Sequence, residues 1–203
     1  MNVMRKSLLA ALIAVSSAAV AISQQAPPAG RQGGAPGPVF WVSSPAWPDG
    51  GEIPMRNAGR GENKSPAFEF HWNLGTNPGA APDTLETYAV ILHDLQNSTN
   101  KTSVDTLHWS AFNIPGTAKG LPEGLGSGDL PDGTRNGPGI RPGSYFGPAP
   151  PAGPSHHYVF EFYALDTKLD LPANTTRDAL LKAMEGHVIG KAAWFGRIPV
   201  PGQ

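Results

Sequence analysis

The chain has 203 residues, a length suited to one domain, with 15 Lys+Arg against 16 Asp+Glu and no Cys. Its 25 Gly and 22 Pro are about twice ordinary usage, which excludes a helical bundle, a coiled coil or a helical repeat. Near-neutral charge without a basic stripe argues against nucleic acid, and the lack of Cys excludes disulfides, thiolate nucleophiles and Cys-ligated zinc.

The N-terminus reads as an export signal. Arg5 and Lys6 precede an apolar stretch from Leu8 to about Ile22, and Ala19-Val20-Ala21 supplies an A-x-A cleavage site. Residues 1–21 are therefore expected to be a signal peptide, leaving no transmembrane segment and a secreted or periplasmic protein. Residues 22–38 are rich in Pro, Gly and Gln, and from Gln24 on they have no large apolar side chain. They are expected to be a flexible leader. A single domain is expected over 39–203.

Strands are expected at Val39 to Val42, at Phe68 to Trp72 by alternation, and at Glu86 to His93. The last is apolar at nearly every position, the pattern of a strand covered on both faces. Leu107 to Ile114 and Tyr158 to Leu165 read the same way, and Ala192 to Ile198 closes the set. One helix is signalled by Thr175 and Asp178 as a capping box, Ala179, Leu180, Ala183 and Met184 on one face, and Gly186 as its end. Half of residues 115–154 are Gly or Pro, between two strong strands; such a loop is expected to be ordered and functional. Within it, Gly124-Leu125-Gly126-Ser127-Gly128 fits neither a dinucleotide fingerprint nor a nucleophile elbow and reads as plain loop. The five tryptophans read as packing residues, and the triplets at Asn63, Asn97, Asn100 and Asn174 fit glycosylation acceptors.

Histidines mark the expected site. Asp94 ends one strand and His108 opens the next, so antiparallel pairing brings them to one sheet end. His156 opens the following strong strand and shares a face with Tyr158, while His157 takes the other. Asp94, His108, His156 and Tyr158 are thus expected to line one pocket, roofed by Gly147-Pro148-Ala149-Pro150-Pro151. Imidazole and phenol groups beside a carboxylate suit an oxyanion.

At these residues the chain resembles the phosphatidylethanolamine-binding protein family, in its bacterial-type branch of Raf-kinase-inhibitor-like proteins. The resemblance runs from about Val39 to Val200. It is carried by Ser44-Pro45-Ala46-Trp47, Gly50-Gly51-Glu52-Ile53-Pro54, Ser65-Pro66 with Trp72, His108-Trp109 with Asn113-Ile114-Pro115, and Gly147-Pro148-Ala149-Pro150-Pro151 with His156-His157-Tyr158. Ala164-Leu165-Asp166 and Gly186-His187-Val188 add to it. The resemblance implies a mainly β, sandwich-like fold with a central antiparallel sheet, few peripheral helices and long Gly/Pro-rich loops. It also implies a small pocket for phosphate or a phosphorylated phospholipid head group, using Asp94, His108, Ala149, Pro150, His156 and Tyr158, with no cofactor, no metal and no catalysis. The family has a second carboxylate and a proline where this chain has Gln96 and Ser98, so the pocket is expected to be less acidic. His93 is an extra titratable group expected on the opposite face.

Three function classes follow. The first is an anion-binding protein. The second is an inhibitor module against a secreted or periplasmic protease, presented by the Gly/Pro loop. The third is an enzyme using the same His/Asp groups for acid–base or metal-assisted work, disfavoured because no nucleophile is paired with them.

Overall fold

A computed structural model describes residues 37–73, 77–97 and 101–198. The expected signal peptide, nearly all of the expected leader, and Ser98 lie outside these residues. In chain order the strands are β1 (Val39–Ser43), β2 (Gly51–Glu52), β3 (Phe68–Asn73), β4 (Thr87–Asp94), β5 (Thr106–Pro115), β6 (Gly120–Leu121), β7 (Arg135–Asn136) and β8 (His156–Leu165). The helix α1 (Arg177–Met184) and the strand β9 (Val188–Ile198) follow.

The fold is mainly β. β1, β3 and β6 form one sheet, and β2, β9, β8, β4, β5 and β7 the other, in that order. Every pairing is antiparallel except β2 with β9. β4 lies at the centre, and all eight of its residues are buried. Tyr88, Val90 and Leu92, together with Phe160 and Phe162 of β8, face the three-stranded sheet at Phe40, Phe68, Phe70 and Trp72. Ala89 and Ile91 face the other way, toward Phe112, Tyr163 and the helix residues Leu180 and Met184. A layer on each side explains the unbroken apolar run: no residue of β4 meets water, so none needs to be polar for solubility.

β5 carries two bulges against β4, one beside Leu92/His93 and one between Tyr88 and Val90. At the second, Asn113 sits at φ +55°, and its amide bonds both ways with the Leu169 backbone, at 3.0 and 2.8 Å.

Three local expectations are corrected. The helix cap is Thr176, not Thr175: Thr176 Oγ1 accepts the Ala179 N–H at 3.1 Å. Thr175 instead closes the preceding turn through its N–H to Pro172. β9 begins at Val188, before the expected Ala192, because pairing with β8 recruits Gly190 and Lys191, which have low strand preference on their own. Gly186, at φ +84°, ends the helix as expected. Trp41 is not a packing residue; it is exposed and stacks on His71 with 5.3 Å between ring centroids. A continuous Val-Phe-Trp-Val run hides which member faces out.

The stretch from 115 to 154 is not structureless. It contributes β6 and β7, and buried Asn136 ties it down. The Asn136 amide accepts from Trp109 Nε1 at 2.9 Å and donates to the Gly126 and Gly128 carbonyls at 2.8 and 3.0 Å.

Candidate functional site

The exit of β4 and the entries of β5 and β8 meet at one end of the larger sheet. Asp94 stands opposite Thr106 on β5 and opposite Tyr158 on β8. The bulge at Leu92/His93 makes His108 the extra residue of β5. An extra residue breaks the alternation of the strand and re-aims its side chain. His108 therefore turns toward Tyr158, edge to face at 5.3 Å, while its neighbour Trp109 stays in the same core.

The polar atoms are arranged in order. Asp94, 1% exposed, accepts the Gln96 and Asn97 backbone N–H groups on Oδ1 at 2.9 and 3.1 Å. Its Oδ2 accepts from His156 Nδ1 at 2.7 Å. His108 Nδ1 lies 3.1 Å from the Gly147 carbonyl and 3.3 Å from that of Phe146. A carbonyl only accepts, so Nδ1 of His108 carries the proton. Both imidazoles thus spend Nδ1 inside the protein and keep Nε2 for a ligand. A neutral imidazole that donates from Nδ1 offers Nε2 as an acceptor, and a protonated one offers it as a donor. Burial pushes the His108 imidazole below its ordinary range, although the Gly147 carbonyl and Asp94 work against that shift.

Tyr158 is fully buried, and its hydroxyl has no hydrogen-bond partner. Burial first, and then Asp94, pushes its phenol far upward. The Ala149 backbone and the exposed Arg60 lie near enough to oppose that shift. Pro150 is half-buried and follows Ala149 along the wall.

The wall is held by a segment that the sequence reading did not connect with the pocket. Asn63 Oδ1 accepts the Gly147 N–H at 2.9 Å, and Asn63 Nδ2 donates to the Tyr145 carbonyl at 3.1 Å. Its amide is committed to the fold, whatever the triplet suggests. Tyr145 donates to the Asn57 carbonyl at 2.8 Å, and Phe146 stacks on His108. Arg60 and Asn63 precede β3 and reach the site only through this tertiary contact, so no spacing along the chain marks them.

Gln96 and His157 lie beside the constellation. Gln96 Oε1 accepts the His157 N–H at 2.6 Å and pairs with His157 Nδ1 at 2.8 Å. Gln96 thus forms a clamp between the end of β4 and the start of β8. His93 faces the opposite side, among Asp105, Glu161 and Arg177. Among the described residues, no three His, Cys, Asp or Glu side chains are grouped to hold a metal ion, and no helix is long and apolar enough to cross a membrane.

A family model described as Phosphatidylethanolamine-binding protein matches residues 43–198. The chain belongs to this family. A UPF0098 protein from Methanothermobacter thermautotrophicus is 39% identical over 155 residues, covering 74% of this chain and 93% of that one. LppC of Mycobacterium tuberculosis, named as a lipoprotein, is 30% identical over 159 residues, covering 76% of this chain and 70% of that one. Among solved structures, E. coli YbcL, described as a new member of the mammalian PEBP family, matches with a TM-score of 0.67 at 25% identity, covering 79% of this chain and 98% of that one. CT736 of Chlamydia trachomatis shares the fold at a TM-score of 0.66 and 24% identity, covering 78% of this chain and 96% of that one. For this member of the family, the described β4–β5–β8 corner is where the expected ligand residues lie.

Proposed function

We propose that the protein is an exported, non-catalytic binding protein whose β4–β5–β8 corner takes a small phosphoryl anion, as free phosphate or as a phosphorylated head group. One observation carries this reading. Three side chains from two strands meet with unspent hydrogen-bonding capacity: His108 Nε2, His156 Nε2 and the Tyr158 hydroxyl. Buried groups of this kind are costly unless something satisfies them. Arg60 adds positive charge nearby, and the Ala149-Pro150 backbone forms the wall.

A phosphate oxygen meets an imidazole Nε2 only across a proton. The anion is therefore bound with a proton, carried by the ligand or taken up by the ring, and binding strengthens as pH falls from about 8 to about 6. Titration of the protein with phosphate and O-phosphoethanolamine, followed by NMR of the histidine rings, tests the reading. His108 and His156 signals are expected to move at millimolar ligand. Silence of both rings at either pH would overturn it.

Export is supported by the basic-then-apolar N-terminus and by the lipoprotein name of LppC. Sequencing the N-terminus of the exported product checks it: cleavage after Ala21 leaves Ile22 first, and an intact Met1 would count against it.

A further inference from the structure

The segment that walls the His108 pocket also contributes Tyr145 to a second cleft of about 350 Å³, whose lining includes Lys64, Ser65, Ser127 and Arg141. Two cations and no carboxylate line it. Arg141 has no carboxylate partner among the described residues; its guanidinium sits 4.4 Å above the Phe146 ring, which fixes its position beside the cleft. Lys64 pairs with Glu62 at 2.7 Å, with both side chains about half exposed. Such an exposed pair is weakly held, so the ammonium can turn to a competing anion.

The base of the cleft is a buried donor. Ser65 is 2% exposed. Its Oγ accepts the Leu125 N–H at 2.7 Å, and among the described residues its own proton finds no acceptor. Gly124 N–H bonds to the Ser65 carbonyl at 2.9 Å. Gly124 and Gly128 adopt φ of +70° and +71°, which L side chains resist, and so carry the loop around Ser65. The Gly124–Gly128 run, which matches no nucleotide motif, thus forms one rim of a cationic cleft.

We propose that this cleft is a second anion site, separate from the Asp94–His156 pair, for a phosphate or sulfate ester of a small polyol or sugar. Two mobile-to-fixed cations and an unspent hydroxyl suit a tetrahedral oxyanion. Ser127 and Ser144 elsewhere in the lining suit hydroxyl groups on its carrier rather than an acyl chain.

The test is an amide-resolved NMR titration of the full-length protein at low salt with glucose 6-phosphate, glucose 6-sulfate and glucose. Both esters are expected to move the Leu125, Gly126, Ser127 and Arg141 signals saturably in the millimolar range, and glucose is not. If only one ester does so, that ester class is the ligand. Arg141→Gln and Lys64→Gln are each expected to weaken this response about tenfold while the His156 ring still answers phosphate. His156→Gln is expected to do the reverse. The site is overturned if glucose shifts the same signals equally, if neither exposed-cation variant weakens the response, or if the esters move only His108 and His156. Loss of histidine responses with a retained cleft response would overturn the first pocket and leave this one standing.

Discussion

The Tyr158 hydroxyl is buried within electrostatic reach of Asp94 and the Ala149 backbone, and it makes no well-formed hydrogen bond among the described residues. An unsatisfied buried hydroxyl costs about 1–3 kcal/mol. Tyr158→Phe is therefore expected to leave the protein as stable as before or about 1 kcal/mol more stable, while weakening phosphate binding about tenfold, since one charge-assisted bond is lost. Denaturant melts and the NMR titration read the two effects separately; equal losses in both would mean that the hydroxyl is structural. His108 makes the opposite kind of statement. Its folded pKa is lowered by burial, so between the folded and unfolded values the unfolded chain holds more protons. Stability from this group is present above about pH 6.5 and is lost as pH falls below it. Bound phosphate requires the proton that the empty site resists, so the stabilisation by ligand is expected to grow over the same interval. Thermal melts with and without phosphate between pH 5 and 8 would show the two curves diverging toward acid; parallel curves would contradict the proton-coupled site.

At the scale of elements, the bulge in β5 and the loop after β7 cooperate. The bulge turns His108 inward, and Gly147 presents the carbonyl that sets its tautomer. Gly147 has no room for a side chain: a Cβ there would lie 2.1 Å from the Asn57 carbonyl oxygen and 2.9 Å from the Tyr145 hydroxyl. Gly147→Ala must move the wall, at a cost of about 1–3 kcal/mol, and is expected to release His108 Nδ1. Ring NMR would then show a mixture of tautomers; an unchanged spectrum would mean that Gly147 does not set the tautomer. The expected loop was legible as punctuation because Gly and Pro disfavour regular structure. Its two short strands were not, because Gly120–Leu121 and Arg135–Asn136 owe their strand pairing to β3 and β5 from elsewhere in the chain. The same reason displaced the cap by one residue: Thr175 and Thr176 are equivalent in sequence, and the turn at Pro172 consumes the first. Thr176→Ala is expected to cost about 1 kcal/mol in a denaturant melt, with Thr175→Ala nearly neutral.

For the molecule as a whole, two polar clusters occupy opposite faces of the larger sheet. On the face away from the pocket, the His93 imidazole, 3.3 Å from Glu161, holds the Glu161 carboxyl below its ordinary range, and Tyr163 helps. Burial alone would raise Asp105, but Arg177 and His93 overcome it and hold its carboxyl low. For both carboxyls the unfolded chain binds protons first as acid is added. Their stabilisation is present above about pH 4.5 and is lost as pH falls through the lowered folded values. Glu161→Gln is expected to flatten the acid limb of a pH–stability curve below about pH 4.5 and to leave the phosphate response of His156 unchanged. An acid limb identical to the wild type would exclude Glu161 from it.

The apolar runs of β4, β5 and β8, the alternation in β3, and the order of the histidines were legible in the chain because each depends on local patterning, which a layered β fold imposes directly on sequence. They located Asp94, His108, His156 and Tyr158 at one sheet end. Other features arise where distant segments meet. The bulge that turns His108, the Asn63 amide that secures Gly147, the approach of Arg60 and the cationic cleft around Ser65 leave no period along the chain. Hydrogen-bond direction was also beyond sequence. Two histidines promise donors or acceptors equally until the carbonyl of Gly147 and the carboxylate of Asp94 claim one nitrogen of each, and only the packed structure brings those acceptors within reach.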